Sequence, residues 1–253
     1  MQLREKVDLR SSAITLLALR GRRGQGCRLE RRATLVAEAR AVARTLAARV
    51  PDADITAITI VPRQIWLGRA QNDAAGLAAR IHMLEADYTS TGLAPCSYDA
   101  AYAVESMCHA EGRGKPRFLA EAARLLRPGA PFVITDGFVR EPLATGTMER
   151  IYRGWCEGWA IPEMPHLQEV LDQLAVHGFA IEQVEDVSWR VAPSAAHVLW
   201  VASWFALRAL AKGRGRMPAW RWRHIRASFL TLLLGLTRRH FGYYVITARR
   251  LST

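Results

Sequence analysis

SYDAAYAVESMCHAEGRGKPRFLAEAARLLRPGAPFVITDGF, residues Ser97 to Phe138, decides the fold, because it reads as strand, polar loop, helix, turn and second strand. That is one βαβ unit. Tyr98, Ala101, Tyr102, Ala103 and Val104 form a short apolar run, and Pro131 to Thr135 (PFVIT) form another. Both are continuous rather than alternating, as parallel strands covered on both faces require. Between them Pro116 suits a first helical turn, Phe118, Leu119, Ala122, Leu125 and Leu126 make an inward stripe, and Arg127, Pro128 and Gly129 stop the helix. Ligand chemistry in such sheets gathers at strand carboxyl ends. Those ends carry Glu105, Ser106 and His109 after the first strand and Asp136 after the second.

The pattern extends in both directions. Upstream, Asp54 to Ile60 is a β-branched strand, Pro62 opens a helix that Gly76 closes, and Ile81 to Ala86 is a strand ended by Asp87. Downstream, Met148, Ile151, Tyr152, Trp155 and Trp159 repeat at helical spacing. Leu167 to His177 reads as a helix closed by Gly178, Ala180 to Val187 as a strand and Gly242 to Ala248 as the last strand. Strands alternating with helices build an α/β protein with a mostly parallel sheet covered on both faces. The expected division is an atypical basic segment over 1–42 and an α/β domain over 43–253, with helical insertions at 138–166 and 189–240.

A chain of 253 residues suffices for one large α/β domain. Its cysteines, Cys27, Cys96, Cys108 and Cys156, lie far apart without CxxC pairing, which predicts neither metal site nor disulfide and fits a reducing, cytoplasmic setting. The formal charge of +12 invites a nucleic-acid reading, but residues 1–50 hold twelve basic against four acidic groups, two thirds of the surplus. Nucleic acid is therefore not the expected partner. A second basic cluster, Lys212 to Arg226, is interleaved with Trp220 and Trp222, which suits a lipid headgroup layer as well as RNA. Val191 to Ala211 approaches membrane-spanning length, but His197 and Arg208 interrupt it, and 228–236 is too short. An interfacial helix pair in peripheral membrane contact is expected, beside the plainer reading of core packing.

The segments YDAAYAVESMCH and ARLLRPGAPFVITD resemble class I S-adenosylmethionine-dependent methyltransferases, in particular the small-molecule branch of sterol, tocopherol and quinone methyltransferases. The match departs at Ala130, where the family carries a second glycine. The resemblance implies a Rossmann-like, seven-stranded sheet whose last strand is antiparallel, with S-adenosyl-L-methionine as cofactor. AITIVPRQ, 57–64, is similar to the family stretch that meets the cofactor, which assigns Thr59 and Gln64 to it; a capped helix start is the alternative. Asp87 matches the family acid that accepts from the adenine amino group, with Ala86 and Tyr88 beside the ring. The family's glycine-rich loop has no clean copy. Sliding its pattern back places it on Leu35 to Ala41, LVAEARA, without glycine, whereas Gly21, Gly24 and Gly26 in LLALRGRRGQG follow a plausible strand. Either the fold has drifted, or an altered reading frame precedes about residue 43.

These assignments predict methyl transfer to carbon or oxygen of a hydrophobic small molecule: a lipid, quinone, sterol or polyketide-like acceptor. Glu105 and His109, four apart, would share one face of a short helix. His109 is then the candidate general base or substrate orienter, and Glu105 its partner or a cofactor contact. Asp136 is a candidate substrate contact or a strand-end cap. The alternative is a methyltransferase-fold protein that has lost or repurposed its cofactor site and binds a lipid or a partner.

Overall fold

The computed structural model describes residues 16–20, 39–141, 146–211 and 218–252. Seven strands form one sheet: β1 (Leu16–Arg20), β2 (Asp54–Thr59), β3 (Ile81–Glu85), β4 (Ala100–Val104), β5 (Pro131–Val139), β6 (Phe179–Asp186) and β7 (Phe241–Arg250), in the order β3-β2-β1-β4-β5-β7-β6. Among the described residues seven α-helices accompany them: α1 (Ala39–Arg49), α2 (Pro62–Ala74), α3 (Pro116–Leu125), α4 (Thr147–Trp159), α5 (Leu167–Val176), α6 (Ser188–Ala211) and α7 (Ala219–Leu236). The expected βαβ unit is β4-α3-β5, with β4 and β5 parallel. All five residues of its helix stripe are at most 1% exposed. Gly129, at φ +80°, supplies the turn before β5 that a residue with Cβ adopts only at a cost. Ala130 therefore replaces a glycine without penalty.

Five strands point one way, while β7 runs against both β5 and β6, as the resemblance implies. The unforeseen reversal is β1, which pairs antiparallel with both β2 and β4. Residue 16 stands opposite Ile58 and Ala103, and residue 20 opposite Asp54. The chain therefore leaves β1 at the amino edge of its neighbours, away from Thr59, Glu85 and Val104. The strand expected before Gly21, Gly24 and Gly26 is β1; the glycines themselves, and residues 35–38, lie outside the described residues. Sheet physics explains the occupancy: β2 and β4 each need a neighbour for their inner backbone groups, and a strand of either direction provides one.

The core lies on both faces of the sheet. Phe118, Phe132, Phe138, Phe179 and Ile246 fill one side, and Val42, Ala43 and Ala47 of α1 meet Ile55, Ala57 and Met83 on the other. Strand β5 is longer than PFVIT suggests, because β7 stays paired with it out to Phe241 opposite Val139. Asp136 is consequently inside the strand, not beyond its end.

Helices α6 and α7 leave the sheet after Asp186 and return at Phe241, so both connections lie at the carboxyl edge of the parallel strands. Helix α4 joins them there. Trp155 Nε1 donates to Thr231 Oγ1 at 2.9 Å, and the α4–α7 approach is so close that a Cβ at Gly158 would lie 2.3 Å from that of Ala227. The carboxyl edge is thus the one place where strand ends, polar loops and a helical cover converge.

Candidate active site

Thr59 closes β2 and is fully buried. Its hydroxyl donates to Gln64 Oε1 at 2.8 Å and accepts from the Val61 amide at 3.2 Å, pinning the entry to α2 ahead of Pro62. These two side chains, expected to meet a cofactor, meet each other first. Across from them the Ala86 amide donates to the Thr59 carbonyl. Asp87 follows, exposed, its Oδ1 accepting from the Thr89 amide and hydroxyl at 2.8 Å each. Tyr88 does not flank an open ring site. It is 4% exposed, packs edge-on against Phe118 with centroids 5.3 Å apart, and donates its hydroxyl to the Ser106 carbonyl. An aromatic ring at that position gains more from the core than from a rim.

Beyond β4 the backbone turns through Glu105 at φ +45° and then a 3-10 turn, Met107–His109. This left-handed step separates the pair expected on one helical face: Glu105 is exposed, whereas His109 is 7% exposed and enclosed. The Glu105 amide donates to the Thr135 carbonyl of β5, and Glu105 Oε1 accepts from the Tyr243 hydroxyl of β7 at 2.9 Å. Asp136 lies alongside, 3% exposed, accepting from the Cys108 amide at 3.0 Å and the Gly137 amide at 2.8 Å.

The electrostatics follow from this crowding. Desolvation pushes Glu105 above the ordinary carboxylate range, opposed by the Tyr243 hydrogen bond. Although Glu105 is exposed, its carboxylate lies against the Tyr243 hydroxyl of β7 and close to the Asp136 carboxyl of β5. Asp136 is pushed up to about 7, first by burial and next by the neighbouring Glu105 charge, against the pull of its two amide donors. Tyr243 is raised by burial and then by Glu105, so it remains a donor. The two carboxyls and the phenol form one coupled proton-holding group. Nearby, the fully buried Lys115 donates Nζ to the carbonyls of Ala110 at 2.8 Å and Glu163 at 2.5 Å, tying the β4 loop to the segment after α4; burial lowers its pKa.

Sequence reasoning missed Tyr243 and Lys115. Tyr243 lies 138 residues from its partner, and only the closing-strand motif FGYY hinted at it. Lys115 carries no signal, since a lysine before a helix normally reads as surface. Two features bear on whether an adenosyl sulfonium fits this edge. Ser106 Oγ is buried with no partner among the described residues, and Asp87 keeps Oδ2 unengaged among them. The β3–β4 side therefore offers a donor and an acceptor, and the group fits there; on the β1 side the described strand presents its amino end.

Strand order 3-2-1-4-5-7-6 with its site at this edge defines the class I methyltransferase fold. The chain has that fold, and residues 40–129 match the methyltransferase domain family. An O-methyltransferase of Penicillium expansum is 30% identical over 147 residues, covering 58% of this chain and 51% of that protein. Sterol methyltransferase-like 1 of Botryococcus braunii is 36% identical over 93 residues, 37% of this chain and 23% of that protein. The chain spans about half the length of the first of these. Among solved structures, the cyclopropane synthase MmaA2 from Mycobacterium tuberculosis superposes with a TM-score of 0.67 at 15% identity, covering 82% of this chain and 73% of that one.

Proposed function

We propose that this chain is an S-adenosylmethionine-dependent methyltransferase acting on carbon or oxygen of a hydrophobic small molecule of the lipid, quinone, sterol or polyketide class. The observation that carries the reading is the Glu105 carboxylate, held by Tyr243 at the strand edge and raised above the ordinary carboxylate range by desolvation. Asp87 and Ala86 would hold the adenine end of the cofactor, with Ser106 and Glu105 on the β4 side and Thr59 with Gln64 at the strand exit. When bound, the cofactor supplies a sulfonium methyl group whose transfer leaves the electron pair on sulfur.

Methyl transfer from a sulfonium is accelerated mainly by alignment and desolvation. The protein's share of proton chemistry falls to Glu105. An acceptor hydroxyl or acidic carbon loses its proton to Glu105 while Tyr243 holds the other oxygen, and Asp136, protonated near neutral pH, spares the site a second negative charge. This assignment transfers the base role from the enclosed His109, which instead shapes the β4 loop. The helical insertions at 138–166 and 189–240 cover the acceptor side, and the second makes peripheral membrane contact.

The reversed β1 and a sequence without a clean copy of the glycine-rich motif favour a second reading, in which the fold survives without its cofactor and serves binding alone. Calorimetry separates the two. Saturable binding of S-adenosylmethionine and S-adenosylhomocysteine, lost on Asp87→Ala, is the expected result; no heat from a folded sample would establish the second reading.

A further inference from the structure

After Asp186 the sequence contains no aspartate or glutamate, while its lysines and arginines number twelve, as many as the whole chain's formal charge of +12. Most of this cationic stretch is the α6–α7 pair. On α6, Trp200, Trp204 and Leu207 repeat at i, i+4 and i+7, and all are exposed, Trp200 to 67%. On α7, Phe229, Leu232, Leu233 and Leu236 repeat the pattern, Leu236 to 71%. Each helix therefore turns an apolar stripe outward, the reverse of a helix that serves a soluble surface.

Only some of the described cations around these stripes are neutralised. Arg190, Arg238 and Arg239 pair with Glu185, Asp186 and Glu141, but exposed Arg208, Arg221 and Arg223 pair with no carboxylate among the described residues. Arg208 and Arg221 instead lie over the Trp204 and Trp220 rings, with centroid distances of 6.0 and 5.2 Å. No described helix is long and apolar enough to cross a membrane.

Resting on the peripheral contact just proposed, we infer that the α6–α7 hairpin is a docking surface for an anionic lipid leaflet, its Trp and Leu stripes entering the acyl boundary and its free arginines meeting lipid phosphates. The charge decides between occupants. A second copy would bring like-charged arginines together, and RNA has no apolar phase for the Leu232, Leu233 and Leu236 stripe. Because both hairpin connections lie at the carboxyl edge, docking turns the Glu105 side of the sheet towards the bilayer. A membrane-dissolved acceptor then reaches the site without crossing water.

The test uses the whole chain in vesicle co-sedimentation, with phosphatidylcholine alone and with added phosphatidylserine, at low and high salt, while tryptophan fluorescence reports burial. Binding is expected only with phosphatidylserine, weakening with salt and accompanied by a blue shift. The variant R208Q/R221Q/R223Q should lose roughly 100-fold in affinity, since each cation contributes about fivefold. L232S/L236S should abolish the blue shift, circular dichroism confirming that both variants fold. Equal binding to neutral and anionic vesicles, no binding to either, or tighter binding of single-stranded RNA would overturn the inference, as would self-association abolished by L232S/L236S in a protein that ignores vesicles. Vesicle binding without calorimetric cofactor binding would sink the methyl-transfer reading and leave the docking surface standing.

Discussion

In the proposed mechanism Tyr243 conditions what Glu105 can do, because a desolvated carboxylate needs a donor to stay useful as a base. Its hydrogen bond lowers the pKa that burial raises. Tyr243→Phe removes that counterweight, so Glu105 holds its proton to higher pH. The acid limb of the pH–rate profile should move upward by roughly one unit, about 1.4 kcal/mol, with little change in cofactor affinity. An unmoved limb would sever Tyr243 from the base. Asp136 makes a separate claim on stability. With a folded value of about 7 against an ordinary 3.8, the native state keeps a proton that the unfolded chain releases, so stability falls as pH rises from about 4 to about 7. Asp136→Asn should flatten urea-unfolding free energies across that window, whereas wild type declines by up to about 1.4 kcal/mol per pH unit. The positions of Glu105 and Asp87 just beyond strand ends were legible in the sequence, because strand ends announce themselves by pattern. Tyr88 was misread, since its type and position suit a rim and a core equally, and only packing against Phe118 decides.

Helices and loops carry the tolerances of the site. At Gly158 a methyl group would drive into Ala227 and the Arg223 carbonyl, so Gly158→Ala should push α4 from α7 and lower stability by about 1–3 kcal/mol, read as a lower melting temperature. Lys115 is the other fastener. Lys115→Met leaves the Ala110 and Glu163 carbonyls without their donor, at about 1–3 kcal/mol each if they stay dry, and frees the β4 loop to fray in hydrogen exchange before the sheet does. Periodicity exposed most helices and strands, but neither fastener. The separation of Glu105 from His109 escaped for a backbone reason: a positive φ at a glutamate leaves no compositional trace.

The whole sheet was legible except at its centre. Five parallel strands follow from the alternating pattern and the antiparallel β7 from the family resemblance, whereas the polarity of a five-residue apolar strand is set by where its connections run, not by its residues. Cysteines at 16 and 103 stand opposite in the antiparallel register and should cross-link under mild oxidation; a parallel β1 would instead favour 16 with 100.

That central strand also dictates an order of assembly. Without β1, the β2–β3 pair and the β4-β5-β7-β6 group share no sheet hydrogen bonds, so the molecule falls into two half-sheets joined only by packing. Among the described strands, the five residues that join them are synthesised first, yet their second edge waits for β4, about eighty residues later in the chain. During synthesis β1 is an apolar strand with both edges bare, and the cell's folding machinery, rather than the finished structure, must keep it from pairing elsewhere.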